Sequence, residues 1–221
     1  ATEDDKGVMY FANNLGVLMY DGQRWEIIRP IGNPETRAVV KGKDGKIYVG
    51  TSGDIGYVDA DARGKMKFFS LKNKLPEKYQ QFAEVWECNR LDDKIIFRTV
   101  NNLFIWDGKN MKVIDSYENL HVGNVVHNNI YVRIWNRGLT ILKNDSFHIV
   151  PGGERFANER IYVMLAYDEN RMLIGTRTQG LFIYDGKQFT PFKTEADPYI
   201  VNTSLYGGQV LPNGNFALNS F

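Results

Sequence analysis

A chain of 221 residues, 43% hydrophobic and 24% charged, is long enough to bury a sizeable core and too apolar to be disordered. Its 27 basic and 26 acidic residues leave a formal net charge of +1, so no strong field argues for nucleic acid or an anionic membrane as partner. A single cysteine, Cys88, excludes an internal disulfide framework and a multi-cysteine metal site, and in the alternating run Val85-Trp86-Glu87-Cys88 it reads as a core thiol.

In chain order, short apolar runs come first at residues 8–11 and 16–20, then an Asp21-Gly22 turn and a further run at 25–28. The succession recurs. A glycine opens "GVLMYDG" at Gly16, "GYVDAD" at Gly56, "GLTILKND" at Gly138 and "GLFIYDG" at Gly180, while Asn102 takes its place in "NLFIWDG". The intervals are 40, 46, 36 and 42 residues. Runs of four to six residues rich in Val, Ile, Tyr and Phe, punctuated by Asp-Gly and Asn-Gly turns, are strands and not helices. A further run precedes each unit, at residues 37–40, 84–88, 122–126, 160–166 and 205–211, and tight polar turns lead from it into the next strand.

Four antiparallel strands repeated at about forty residues describe an all-β fold, a β-propeller of four-stranded blades. The chain reads as one propeller segment over 1–221, with blade units at 8–28, 36–71, 83–115, 122–150 and 160–192 and a partial unit at 205–221. About five blades are present. The phase suggests that the chain opens on a second strand and stops mid-blade, so a fragment of a larger, seven-bladed ring is expected.

In such a blade the long links between units gather at one end of the sheets, here residues 29–35, 72–82, 116–121, 151–159 and 193–204. The second strands end at the same place, and they end on Arg98, on Arg133, Trp135 and Arg137, and on Arg177 and Gln179. Two roles are open to these side chains. Arginine forks and an indole face suit a small polar or carbohydrate ligand; alternatively the arginines pair with acids such as Glu84, Glu154 and Glu159, and Trp135 packs between blades.

No catalytic residue, metal ligand or cofactor emerges. His121, His127 and His148 have no metal-like spacing, and the pair Ser146 and His148 lacks an orienting acid and an oxyanion-hole pattern. The opening ATEDDKG is not a secretory signal, and no window approaches a membrane span, although both would follow from trimming of an exported protein.

The segments "GKIYVGTSGDIGYVD" and "RMLIGTRTQGLFIYDG" resemble the two-component regulator propeller repeat. More narrowly, "GVMYFANNLGVLMYDGQRWEII", "LPEKYQQFAEVWE" and "VPGGERFANERIYVMLAYDENRMLIGTRTQGLFIYDG" are similar to the N-terminal sensor region of Bacteroidetes triple-tyrosine-motif signalling proteins. The resemblance implies a periplasmic, non-enzymatic sensor propeller. It would be followed by further blades, an immunoglobulin-like domain, a membrane helix and a histidine kinase or helix-turn-helix output. The expected partners are therefore the rest of that signalling protein, a small polar or carbohydrate ligand and a second copy of the chain. A protein-interaction scaffold and, less well supported, a propeller lyase or glycoside hydrolase are the alternatives.

Overall fold

The computed structural model describes residues 1–32 and 34–220; Asn33, in the 29–35 link, and Phe221, last of the tail run, lie outside the described residues. The chain forms two compact units, Ala1–Tyr117 and Glu118–Phe221.

The first unit contains three four-stranded antiparallel meanders, each running in sequence order across its sheet. They are β1 to β4 (Thr2–Glu3, Met9–Asn13, Gly16–Tyr20, Trp25–Ile28), β5 to β8 (Thr36–Lys41, Ile47–Thr51, Ile55–Ala60, Met66–Ser70) and β9 to β12 (Glu87–Leu91, Lys94–Arg98, Asn102–Trp106, Met111–Asp115). Successive sheets share faces. Tyr10, Val17 and Ile28 bury against Ile47, Val49 and Val58, and Tyr48 and Ile55 bury against Phe97, Phe104 and Trp106. A strand covered on both faces needs no polar alternation, which is why β6, Ile-Tyr-Val-Gly-Thr, is buried at every position.

The second unit repeats the design with β13 to β16 (Leu120–Val126, Asn129–Ile134, Gly138–Lys143, Ser146–Ile149) and β17 to β20 (Ile161–Ala166, Met172–Thr176, Leu181–Tyr184, Phe189–Phe192). A two-stranded sheet follows, β21 (Leu205–Val210) and β22 (Phe216–Ser220). Val126 and Leu139 pack with Met164, Ile174 and Phe182, and Leu173 and Leu181 pack with Leu205.

The recurring Tyr-Asp-Gly or Trp-Asp-Gly closes the third strand of a sheet. The Asp21, Asp107 and Asp185 carboxylates each accept backbone N–H bonds from the residues two and three positions on, at 2.6 to 2.9 Å. The glycine that follows sits at φ 94°, 90° and 87°, a conformation costly for any residue with a Cβ.

Two expectations are corrected. The chain does not open on a second strand: Thr2 and Glu3 pair with Tyr10 and Met9, supplying a short first strand to the first sheet. Two residues carry no hydrophobic period. They are fixed instead by Asp4, whose carboxylate accepts the Lys6 and Val8 N–H groups, and by Thr2 Oγ1, which accepts the Lys41 N–H. The 193–204 link is also not all loop, because Asp197–Thr203 forms a helix, α1. Thr194 donates through its N–H and its hydroxyl to the Asp197 carboxylate ahead of it, and Ile200 is its one buried residue, too little to register as a periodic face.

Candidate functional site

One register position explains two of the predicted arginines. On the second strand, Gly50 pairs with Ala38, Arg98 with Glu87, Arg133 with Val122 and Gly175 with Val163. At Gly50 and Gly175 a side chain of the next sheet, Val85 or Leu205, packs straight onto the backbone and leaves no room for a Cβ. Where that approach is absent, an arginine fills the place. Arg98 is 3% exposed, and its Nε donates to the Glu87 carboxylate at 2.6 Å and its Nη1 to the Thr99 carbonyl. Arg133 is fully buried and donates to the Phe156 and Ala157 carbonyls.

The other predicted residues divide similarly. Arg137 Nη1 lies 2.9 Å from the Glu118 carboxylate, and Nη2 donates to the Phe147 carbonyl. Gln179 reaches Glu159 at 3.5 Å, and the same carboxylate accepts the Thr178 N–H and hydroxyl. Arg177 is half-buried at the end of β18, its backbone N–H donating to the Arg160 carbonyl. None of these pairs uses Glu84 or Glu154. The structure thus brings Arg133 and Trp135 together, keeps Arg137 and Gln179 in local polar contacts, and places Arg98 in the other unit.

A feature the sequence reading passed over lies at the start of the first strands. The pairing slips by one residue at Arg37, His121, Tyr162 and Tyr206, each a β-bulge with its neighbour Thr36, Leu120, Ile161 or Leu205 buried. In the third sheet Trp86 takes the corresponding place after buried Val85, its N–H donating to the Arg98 carbonyl. A bulge leaves the extra residue out of the ladder and re-aims its side chain. In every case that side chain is large and aromatic or cationic.

In the second unit these residues form a continuous row. Trp135 meets His121 edge to face at 5.1 Å between centroids, His121 meets Tyr162 at 5.4 Å, and Tyr162 meets Tyr206 at 5.2 Å. The guanidinium carbons of Arg133 and Arg160 lie 4.0 and 5.3 Å from the Trp135 centroid. In the first unit Arg37 lies over Trp86 at 5.3 Å and pairs with Glu35. The signal was present in the sequence as Thr-Arg, Leu-His, Ile-Tyr and Leu-Tyr opening four of the first strands and Val-Trp just ahead of a fifth. A search for strands takes in most of these residues without setting them apart, because the slip that frees them is a property of the pairing.

The concave volume elsewhere is different in kind. A cavity of about 350 Å³ in the first unit is walled by Tyr48, Tyr57 and Trp106, but its acid Asp44 is already engaged by the Tyr48 hydroxyl and Lys46. Among the described residues no cluster of three His, Cys, Asp or Glu could hold a metal ion, and no helix is long and apolar enough to cross a membrane.

No protein-family model matches the chain, and no curated protein matches it. Solved structures do. The WD40 β-propeller domain of Doa1 superposes with a TM-score of 0.72 at 12% identity, over 97% of this chain and 72% of that one. The extracellular domain of the hybrid two component system BT3049 from B. thetaiotaomicron gives 0.72 at 17% identity over the whole of this chain, and that of the one component system BT4673 from the same organism gives 0.71 at 19% over 98%. The chain spans only 31% and 30% of those two domains. Virginiamycin B lyase from Staphylococcus aureus is similar at 0.65 with 10% identity, over 99% of this chain and 82% of that one. At such identities the likeness shows the fold, a β-propeller of four-stranded blades.

Proposed function

We propose that the chain is the ligand-sensing propeller of an extracytoplasmic signalling protein and that the row Trp135, His121, Tyr162 and Tyr206 receives a small polar or carbohydrate ligand. The observation that carries this reading is a large aromatic or cationic side chain at the start of the first strand in five of the six sheets, set there by a slip in the pairing in four of them and by Trp86 just ahead of β9 in the fifth. Core packing alone would not require it, because the residue beside each bulge already fills the core. Tyr206 remains 49% exposed and Trp86 45%. Aromatic faces in such a position take the apolar face of a ring while neighbouring arginines and the histidine supply hydrogen bonds.

The likeness to two extracellular domains of signalling systems supports a periplasmic placement and a parent chain with a kinase or transcriptional output, with a second copy as a further partner. Sensing needs no bond to break. A tenfold preference of the ligand for one signalling arrangement over another is worth about 1.4 kcal/mol and is sufficient to shift their populations. The module is accordingly proposed as non-enzymatic.

The test is a thermal-shift screen of the purified chain against oligosaccharides and small polar metabolites, repeated with Tyr162→Ala and Trp135→Ala. A ligand whose stabilisation disappears in both variants supports the reading. A ligand bound with unchanged affinity by both removes the row as its site.

A further inference from the structure

Positive charge is in excess at the Trp135 end of the row, where Arg133, Arg160 and Arg177 outnumber Glu159, the acid whose charge bears on Arg133. Two nitrogens of Arg133 donate to carbonyls, and the third, Nη1, is buried with no partner. Arg160 shares the same indole ring, and Arg177 is joined to Arg160 through the backbone. Among the described residues none of the three arginines forms an ion pair, and Glu159, beside Arg160 in the chain, is engaged by Thr178 and Gln179. Like charges converging on one ring repel. Burial, and after it the Arg160 charge, pushes the Arg133 pKa down to about 10 against the opposing pull of Glu159, which still leaves it cationic at neutral pH.

An arginine pair held on a stacking surface and forming no ion pair among the described residues is one half of an oxyanion site, since charge-assisted, bidentate bonds to a carboxylate or sulfate are what the guanidinium fork forms best. Resting on the reading that this row is the ligand site, we infer that its ligand is anionic, a sugar-sized ring bearing a carboxylate or sulfate group. The ring stacks along Trp135 and Tyr162. Arg160 and Arg177, both half-buried and within reach of solvent, take the oxyanion, while the buried Arg133 adds its charge from its place against the indole. A neutral ring satisfies the aromatic groups and leaves the cationic repulsion in place.

The experiment compares digalacturonate, a sulfated galactose disaccharide and neutral galactobiose at matched ionic strength, on wild type and on Arg160→Gln. At about 10 mM probe, a charged disaccharide raises the melting temperature by roughly 2–4 °C, the neutral one does not, and the shift is lost in the variant. Without probe, Arg160→Gln melts at or above the wild-type temperature, because a repulsion has been relieved. Whichever charged probe gives the larger shift identifies the oxyanion. An equal shift from galactobiose, retained in Arg160→Gln, overturns the anionic inference while leaving the sensor reading intact. Absence of any shift from both charged probes also overturns it, as does a variant that melts several degrees lower unliganded, which would make Arg160 a packing residue.

Discussion

Leu205, at the start of β21, rests directly on the backbone of Gly175 in the neighbouring sheet, where an added Cβ would collide with Leu205 Cδ2 and lie 2.8 Å from Val163 Cβ. Neither obstacle is the loose end of a surface side chain. Gly175→Ala is therefore expected to destabilise the chain by about 1–3 kcal/mol through overpacking. Gly50→Ala, which meets Val85 in the same way, is expected to cost a similar amount. In contrast, Gly186 has nothing within 4 Å of its missing Cβ, so its alanine variant carries only the positive-φ penalty. Denaturant melts of the three variants check the order, and a Gly175→Ala protein as stable as wild type would mean the two sheets are not in contact there.

The Arg98–Glu87 pair should behave as structure and not as a ligand site. Arg98 is 4% exposed in its side chain and Glu87 24%, so removal of the cation strands a carboxylate that water reaches only in part. Arg98→Met is expected to cost about 2–4 kcal/mol, below the full penalty for an isolated buried charge because of that partial access. Any ligand found for the second unit should bind this variant with unaltered affinity once the fraction folded is taken into account, which isothermal titration measures directly.

What was legible beforehand and what was not follows from periodicity. The third strands and their turns were readable because Gly16-to-Gly22 and Gly180-to-Gly186 combine an apolar run with the Asp-Gly chemistry a tight turn demands, and the carboxylate bonds at Asp21 and Asp185 are local to the sequence. Arg133 and Trp135 could be singled out because charge and indole at the end of an apolar strand are conspicuous. Their actual partners, the Phe156 and Ala157 carbonyls and Arg160, come from another stretch of chain and could not be read. The row His121, Tyr162 and Tyr206 could not be read for a different reason: Tyr162 and Tyr206 lay inside the runs 160–166 and 205–211 and His121 at the end of the 116–121 link, and a one-residue slip in the pairing leaves no mark in the sequence. Thr2–Glu3 and α1 were too short to carry a period at all.

Acid should loosen the hairpins before it disturbs the sheets. The backbone N–H bonds to Asp21, Asp107, Asp168 and Asp185 hold these carboxyls below their ordinary value, bonds from Thr194 do so for Asp197, and Lys67 with two backbone N–H groups lowers Asp61 to about 2. A folded pKa below the unfolded one means that the contribution is complete above about pH 4 and disappears as pH falls through the folded value. Asp54, raised by burial, acts in the opposite sense, the one described carboxyl shifted that way. The expected outcome is a melting temperature that is flat from neutrality to about pH 5 and declines between about pH 4 and 2. Asp61→Asn should flatten part of that decline, and a stability profile unchanged down to the lowest pH would contradict the role given to these turns.

Cys88 offers a probe of the packing between the second and third sheets. Its sulfur lies 3.9 Å from the Ala38 carbonyl and close to Gly50, and burial pushes its thiol pKa well up. The thiolate is the reactive form, so a thiol reagent should label the native protein very slowly near neutral pH and the denatured protein at the rate of an ordinary cysteine. Gly50→Ala, by displacing Val85 and the sulfur beside it, should expose the thiol and accelerate labelling. Rapid labelling of the native wild type would show that the two sheets part readily at this point, and would remove the steric basis for the glycine at position 50.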